Sequence, residues 1–388
     1  MGDVGSGKTV VGSLVSLVIA RNNLLSLWLA PTDVLVQQHL KTLQSIGKPL
    51  GLRIGVYTRT QKKANFEKDD IIVGTHALLH MPFPTHRVGC VVIDEQHRFG
   101  VKQRAQLALL ANPTPHFLSM TATPIPRTLA LTLYGDLDIS LLNALPTQRI
   151  PVKTLIFDQL HRHKAYEYIR NEVACGHQAF VVVPRIELIE DEPNSLFDGD
   201  TKSVLEEYER LKQDIFPTFR IGYLHGKLSS KVKLDTMNTF NAGLFDVLVT
   251  TTVIEVGIDV PNATVMMIEN AEMFGLAQLH QLRGRVGRST FQSYCLCLAG
   301  TFTSITSERL MALTTCNNGF ELAEIDLRLR GPGALTGLQQ SGFPMLKLAS
   351  LSDAPLLQKA RTIVDNLIHD GIPDGYMSLR TLDDIHGE

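Results

Sequence analysis

The chain has 388 residues, of which 44% are hydrophobic and 20% are charged, and its formal net charge is −2. This composition excludes a globally disordered chain and predicts two or three domains with packed cores. The near-neutral balance does not itself point to a nucleic-acid partner, although net charge is a poor detector of a local basic groove.

The cysteines form no paired framework and predict reduced thiols, so we expect a cytoplasmic protein. Cys295 and Cys297 would share one face of a strand. Without a second cysteine or histidine pair at suitable spacing, they do not indicate a zinc site. We expect neither a signal peptide nor a membrane partner, because a glycine-rich loop stands first and the apolar runs are too short to span a bilayer.

The first motif is a glycine-rich loop that predicts a phosphate-binding site, with a helix from Thr9 to about Ala20 behind it. Its glycines let backbone N–H groups and the helix N-terminus point at an anion. Lys8 would reach the β- and γ-phosphates of ATP, and the Thr9 hydroxyl would ligate Mg²⁺. The residues expected to bind the cofactor are Gly2, Asp3, Val4, Gly5, Ser6, Gly7, Lys8 and Thr9.

Short apolar, β-branched runs alternate with helical patterns along the next 280 residues or so. Continuous apolar strands separated by helices are typical of parallel sheets covered on both faces, so we predict two α/β units. The predicted strands are 24–30, 70–75, 88–94 and 116–121 in the first unit, and 152–157, 178–183, 220–224, 246–251, 264–269 and 293–298 in the second.

The predicted boundary between the two units lies near 145–149, where a proline-bearing stretch follows a helix. Residues 187–200 are acidic and predict a solvated surface loop, with a binding element as the alternative. After about Gly300 the pattern changes to helices without strands and then to a loop rich in glycine and proline at 331–344. This change predicts a small third unit.

The second motif is the apolar strand 88–94, which delivers Asp94 and Glu95 at its carboxyl end, where ligands bind in open α/β sheets. Asp94 would hold Mg²⁺, directly or through water, and Glu95 would orient and deprotonate the attacking water. The alternative for the motif alone is an ordinary strand end with solvated acids.

The third motif contains Arg285 and Arg288, three residues apart and on one face if helical. Guanidinium groups stabilise the charge that develops during phosphoryl transfer. The alternatives are an exposed basic helix or a contact with DNA phosphate. Because these arginines lie in the second unit, they could complete an ATP site only across a cleft, which would link hydrolysis to domain closure.

Together these motifs resemble superfamily 2 helicases and translocases, and the remaining motifs of that superfamily follow in order. The resemblance implies nucleotide contacts from Gly257, Asp259 and Gln281. It implies DNA contacts or coupling through strand-end residues, for which an ordinary strand-to-helix turn is the alternative at each place. These residues are Pro31, Thr32, Thr75, His76, Gln96, His97, Thr121, Thr123 and Thr251.

Longer strings at 94–101, 121–128 and 274–280 look like the RecG family of bacterial ATP-dependent DNA helicases. Gln96 and Ser6 resemble that family more than the transcription-repair coupling factor, which usually has Glu and Phe at those places. The resemblance implies two RecA-like P-loop NTPase domains with parallel sheets, at 1–146 and 147–300, and a C-terminal helical hairpin and tail at 301–388. ATP and Mg²⁺ are the implied cofactors.

The implied substrate is branched DNA, such as stalled forks and Holliday junctions in recombination and repair, or double-stranded DNA. Arg328 and Arg330 resemble residues of the hairpin that converts ATP-driven closure into DNA movement, and they would pin the hairpin or contact backbone phosphate. Two alternatives remain: a coupling-factor-like double-stranded DNA translocase, for which no polymerase-binding module is visible, and a catalytically impaired fragment.

RecG proteins carry a wedge region with an oligonucleotide-binding fold and a first motor strand ahead of the phosphate loop, where this chain has Met1 alone. We therefore expect Met1 to begin a fragment with exposed apolar sheet edges and an untethered loop. Weak ATP binding and loss of branch recognition would follow. A separate N-terminal polypeptide carrying the wedge is a further partner that the resemblance allows.

Overall fold

The fold is that of a computed structural model, which describes residues 1–81, 84–95, 114–121, 138–142, 150–184, 199–252, 260–300, 304–330 and scattered positions from 356 to 367. The chain divides into two compact units. The first comprises Met1–Pro124 and Leu141–Asp326, and it contains both sheets. The second comprises Ile125–Ser140 and Leu327–Glu388, and most of its residues lie outside the described ranges.

The first sheet has the strand order β3-β2-β4-β1-β5-β6, and every pairing is parallel except that of β2 with β3. All four predicted strands are confirmed to within one or two residues. The patterns did not predict β2 and β3, of which β3 is only two exposed lysines long. The strands are β1 Leu25–Leu29, β2 Ile54–Tyr57, β3 Lys62–Lys63, β4 Ile71–Gly74, β5 Val88–Asp94 and β6 His116–Met120.

Both faces of this sheet are buried, which explains the continuous apolar runs. Along β5, Cys90 and Val92 pack into one hydrophobic cluster, whereas Val91 and Ile93 pack into another on the opposite face. Two helices cover the first of these faces, α1 (Lys8–Arg21) and α2 (Asp33–Gly47).

Within the described residues, β6 pairs only with β5, and its middle residues are half-buried. Helix α1 exposes apolar side chains: Val10, Val11, Leu14 and Val18 are 42–60% accessible to solvent.

The second sheet is parallel throughout, with the order β7-β12-β11-β8-β10-β9, and the six predicted strands are confirmed. Cys295 and Cys297 share one face of β12, and both are free and buried. Leu296 and Leu298 face the opposite side. The strands are β7 Lys153–Asp158, β8 Gln178–Val182, β9 Ile221–Leu224, β10 Val247–Thr250, β11 Ala263–Ile268 and β12 Tyr294–Ala299.

Helices connect and follow these strands, and after Gly300 the described residues form helices without strands, as predicted. The predicted acidic loop lies outside the described residues except for its last two positions, which open a helix at Gly199. The stretches 145–149 and 331–344 also lie outside. The helices are α3 Arg162–Ala174, α4 Gly199–Arg210, α5 Ser230–Asn241, α6 Leu276–Arg283, α7 Ser304–Thr315 and α8 Gly319–Arg330.

Candidate nucleotide site and strand-end loops

The glycine-rich loop ends at the N-terminus of α1, as its sequence predicts. Gly7 precedes the helix with φ 89°, a left-handed conformation that glycine adopts without a steric penalty. Its carbonyl oxygen accepts hydrogen bonds from the N–H groups of Val10 and Val11, at 3.0 and 3.2 Å. The first amides of α1 therefore lie where an anion could meet them.

Lys8 folds back over the loop. Its Nζ donates to the carbonyl oxygens of Gly2 and Asp3, at 2.8 Å each. Burial lowers the pKa of Lys8, and Asp94 and Glu95 partly offset this effect. The ammonium group is thus held at the loop by neutral acceptors, which phosphate oxygens could replace.

The expectation of an untethered loop is wrong. The Leu142 N–H donates to the Met1 carbonyl oxygen at 2.9 Å, and Gly2 and Leu142 form an isolated parallel bridge. A side chain at Gly2 would also collide with the loop, since a Cβ there would lie 2.4 Å from the Ser6 Oγ. Backbone hydrogen bonds and close packing therefore hold the near end of the loop.

The acidic pair lies at the carboxyl end of β5. The Glu95 N–H donates to the Met120 carbonyl oxygen at 2.9 Å and to the Asp94 Oδ1 at 3.1 Å. Glu95 has φ 52° and is buried. A left-handed glutamate is uncommon, and such conformations persist where the surrounding structure enforces them, often at functional sites.

Arg285 and Arg288 lie just beyond α6, which ends at Arg283. They therefore occupy a turn that includes Gly287 at φ 72°, and not the helix whose face the spacing suggested. The Arg288 Nε donates to the Gly284 carbonyl oxygen at 3.1 Å. A Cβ at Gly284 would lie 2.9 Å from the Cβ of Val4, so the turn packs directly against the glycine-rich loop.

One cavity of about 610 Å³ brings the predicted catalytic residues together, with contributions from both sheets. Of the other residues expected to bind the nucleotide, Gly2, Asp3, Ser6 and Gln281 do not line it. Gly257 and Asp259 lie outside the described residues. The lining residues are Val4, Gly5, Gly7, Lys8, Thr9, Leu35, Gln38, His39, Lys41, Thr42, Asp94, Glu95, Asn241, Pro261, Arg285 and Arg288.

The sequence analysis missed the contribution of α2 to this cavity. His39 is buried on that helix, and its Nε2 lies 2.8 Å from the Asp94 Oδ2. Gln38 and Thr42 line the cavity beside it. The signal was available in the i, i+3, i+4 and i+7 spacing of Leu35, Gln38, His39 and Thr42, which places them on one helical face.

Five of the eleven predicted DNA-contacting residues lie where parallel strands of the first sheet end. Thr32 follows β1 and caps α2, since its Oγ1 accepts from the Leu35 N–H at 3.3 Å. Thr75 follows β4 and is buried, whereas the neighbouring His76 is exposed. Because β4, β1, β5 and β6 are neighbours, these residues share one sheet edge with the acidic pair. Pro31 and Thr121 lie at the same edge.

The other predicted DNA-contacting residues that the structure describes are dispersed. Thr251 follows β10 in the second sheet and is buried. Arg328 and Arg330 lie in the last turn of α8. Gln96, His97 and Thr123 lie outside the described residues.

Comparison with known families first defines the class. The DEAD/DEAH box helicase profile matches residues 1–132, and the helicase conserved C-terminal domain profile matches residues 161–290. The structure of Saccharomyces cerevisiae Dbp5 bound to RNA and ADP BeF3 shares the fold, with a TM-score of 0.60 at 17% identity over 94% of this chain and 88% of that one.

A third profile is more specific, since that of ATP-dependent DNA helicase RecG, domain 3, C-terminal, matches residues 316–378. ATP-dependent DNA helicase RecG of Synechocystis is 47% identical, over 95% of this chain and 44% of its own length. The Thermotoga maritima protein of that name is 44% identical, over 96% of this chain and 48% of its own length. A solved structure of RecG bound to a three-way DNA junction aligns with a TM-score of 0.72 at 39% identity, covering 92% of this chain and 46% of that one.

Over nearly its whole length the chain is similar to RecG helicases, in agreement with the motif strings. It spans about half the length of the curated relatives that it matches. In the part of the chain that the structure describes, no helix has the length and apolar character needed to cross a bilayer.

Proposed function

We propose that this chain is an ATP-dependent DNA motor. It hydrolyses ATP in the cavity lined by loops and helices that adjoin both sheets. The observation that carries the proposal is that Lys8, Asp94, Glu95, Arg285 and Arg288 line this one cavity, although they come from three distant parts of the chain. Phosphoryl transfer from a nucleotide uses a phosphate-binding loop, carboxylates that act on Mg²⁺ and water, and guanidinium groups that stabilise negative charge.

Each group has a role that follows from its chemistry. The amides at the start of α1 and the Lys8 ammonium bind the β- and γ-phosphates. Glu95 orients the attacking water and accepts its proton. Arg285 and Arg288 stabilise the negative charge that develops on the γ-phosphate oxygens. Lys8 lies on a helix that packs against the first sheet, whereas the arginines follow a helix that packs against the second. Hydrolysis therefore depends on how these two parts of the chain pack together.

The residues fit a Mg²⁺ ion. Thr9 and Asp94 both line the cavity and offer the hard oxygen ligands that Mg²⁺ prefers. A hydrogen bond from the Glu95 N–H and contact with His39 orient the Asp94 carboxylate. When bound there with ATP, the ion would neutralise charge on the phosphate oxygens.

We propose DNA, and branched DNA in particular, as the substrate. The support is the solved RecG complex with a three-way junction, which this chain matches over 92% of its own length. The strand-end loops of Thr32, Thr75 and His76 would contact backbone phosphates through amides and side chains, without reading sequence. We propose that the protein acts on DNA in the cytoplasm. The profile match at 316–378 favours a RecG-type motor over a coupling-factor-like translocase.

We also retain as proposals the division into RecA-like domains at 1–146 and 147–300 and the hairpin and tail at 301–388. The last range contains α7 and α8, which a short turn at 316–318 joins, and the Arg309 Nε of α7 lies 3.8 Å from the Asp326 Oδ1 of α8, an arrangement that suits a helical hairpin.

The test is ATP hydrolysis by the purified chain with Mg²⁺, with and without forked DNA. Lys8→Ala and Arg288→Ala should each abolish hydrolysis, while Arg220→Ala is the matched control because Arg220 pairs with Asp246 away from the cavity. DNA-stimulated hydrolysis that only the first two substitutions abolish would support the proposal. A folded wild-type chain without hydrolysis would show a catalytically impaired fragment, and preference for forked over linear duplex would show that no added wedge is needed.

A further inference from the structure

Asp3 is a carboxylate within the glycine-rich loop, yet it does not line the nucleotide cavity. Its Oδ1 lies 2.5 Å from the Nε2 of His280 on α6, and its Oδ2 accepts from the Gly319 N–H at 3.3 Å. Burial would raise the pKa of Asp3, but the hydrogen bond from His280 and those from the N–H groups of Val4 and Gly319 lower it overall. The carboxylate is thus turned away from the phosphates and bonded to two other elements.

His280 transmits this contact further. Its Nδ1 lies 2.9 Å from an NH2 group of Arg283, and a guanidinium can only donate hydrogen bonds. The Nδ1 atom must therefore accept, which leaves the ring proton on Nε2, where it is donated to Asp3. Both side chains are buried, so the orientation of the ring is set by its two partners.

Arg283 in turn holds the end of α7. Its NH1 group donates to the carbonyl oxygens of Leu313 and Cys316, at 2.6 and 3.0 Å. The last carbonyl groups of a helix lack partners within the helix and carry partial negative charge, so a buried guanidinium stabilises them. The turn that follows leads directly to Gly319, the first residue of α8.

These contacts close a ring: Asp3, His280, Arg283, the α7–α8 turn, and Gly319 back to Asp3. The carboxylate also lies at the N-terminus of α8, where the helix dipole favours negative charge. The ring therefore joins the glycine-rich loop, α6 and the turn through hydrogen bonds. We call it the Asp3 ring.

A change at the phosphates would reach the ring through Lys8. In the present geometry the Lys8 Nζ donates to the carbonyl oxygen of Asp3 itself. In the proposed function Lys8 donates to nucleotide phosphates instead. The Asp3 carbonyl oxygen would then lose its hydrogen bond from Lys8, while the Asp3 carboxylate still contacts His280 and Gly319.

We propose that Asp3, His280 and Arg283 are positioning residues that couple nucleotide binding at the glycine-rich loop to the α7–α8 turn. The inference rests on the proposed function, since it requires the loop to bind ATP. It predicts that the turn changes its hydrogen-bond stability when nucleotide binds, and that the change passes through His280.

The experiment is hydrogen–deuterium exchange of the amides at 313–319 in the full chain, with and without Mg²⁺ and a non-hydrolysable ATP analogue. In the wild-type chain we expect the analogue to change the exchange rate of the turn by about tenfold, the effect of gaining or losing one to two hydrogen bonds. His280→Ala should remove this response at saturating analogue. His280→Gln should retain it, because the glutamine amide can still donate to Asp3 and accept from Arg283.

Asp3→Ala breaks the same ring from a less buried residue, and it serves if His280→Ala does not fold. Glu172→Gln is the matched control, since Glu172 and His177 form another carboxylate–histidine pair, 2.7 Å apart and far in sequence from both the loop and the α7–α8 turn. Binding of a fluorescent ADP derivative is measured on the same samples. If the analogue binds but the wild-type turn does not respond, or if His280→Ala responds like wild type, the inference is overturned. If the wild-type chain binds no nucleotide, the proposed function fails, and the inference fails with it.

Discussion

Replacing Gly284 with alanine is expected to impair ATP hydrolysis, because the added methyl group would collide with the glycine-rich loop. The three atoms nearest to a Cβ at this position all belong to Val4, at 2.9, 3.0 and 3.2 Å. Gly284 has φ −69° and ψ −7°, a conformation that alanine adopts readily. The effect of the substitution therefore comes from steric contact and not from backbone strain.

The size of the effect follows from the cost of overpacking, which is about 1–3 kcal/mol for an inserted methyl group. At about 1.4 kcal/mol for each factor of ten, this corresponds to a loss of roughly 5- to 150-fold. The loss should appear in ATP hydrolysis, because moving Val4 displaces the loop, and moving residue 284 displaces the neighbouring Arg285. A fall in nucleotide affinity would show that the loop is the part that moves.

The assay compares Gly284→Ala with wild type in steady-state hydrolysis, nucleotide binding and thermal unfolding. Val4→Gly removes all three nearest atoms. Gly284→Ala should therefore reduce ATP hydrolysis less in the Val4→Gly chain than in the wild-type chain. A Gly284→Ala chain with wild-type rate and affinity would refute the packing argument. Failure of Val4→Gly to relieve the defect would show that the collision lies elsewhere.

Three further outcomes are expected. His39→Ala should raise the Mg²⁺ concentration for half-maximal hydrolysis by about tenfold, with partial recovery in His39→Gln, and an unchanged Mg²⁺ dependence would contradict this. Burial, opposed by Arg162 and reinforced by Glu207, raises the pKa of Glu269 to about 7. The folded chain thus binds a proton that the unfolded chain releases, so the free energy of unfolding falls by on the order of 3 kcal/mol as the pH rises from about 5 to 7. In urea unfolding, Glu269→Gln should flatten this dependence of the free energy of unfolding on pH. An unaltered slope would exclude the assignment. Arg288→Lys should reduce kcat much more than it weakens nucleotide binding, because lysine retains the charge but not the planar fork, and an equal loss in both would point to ground-state binding.

The sequence by itself determined ten of the twelve described strands, the glycine-rich loop and the resemblance to RecG helicases. Parallel strands buried on both faces are continuous apolar runs, so β5 and β11 could be delimited without any structure. Glycine at position 7 marks a backbone conformation that other residues adopt at a cost, which makes the loop readable as well. The short edge strand β3 could not be predicted, because two exposed lysines carry no hydrophobic period.

Only the tertiary structure decided which of these residues meet. The motif placed Asp3 among the nucleotide contacts, and the spacing allowed Arg285 and Arg288 to share a helical face. The structure turns the Asp3 carboxylate towards His280 and ends α6 before Arg285. The Asp3–His280 contact joins residues 277 positions apart. Local patterns cannot specify such a contact, because it depends on the order of the strands in each sheet and on the packing of one sheet's loops against the helices of the other.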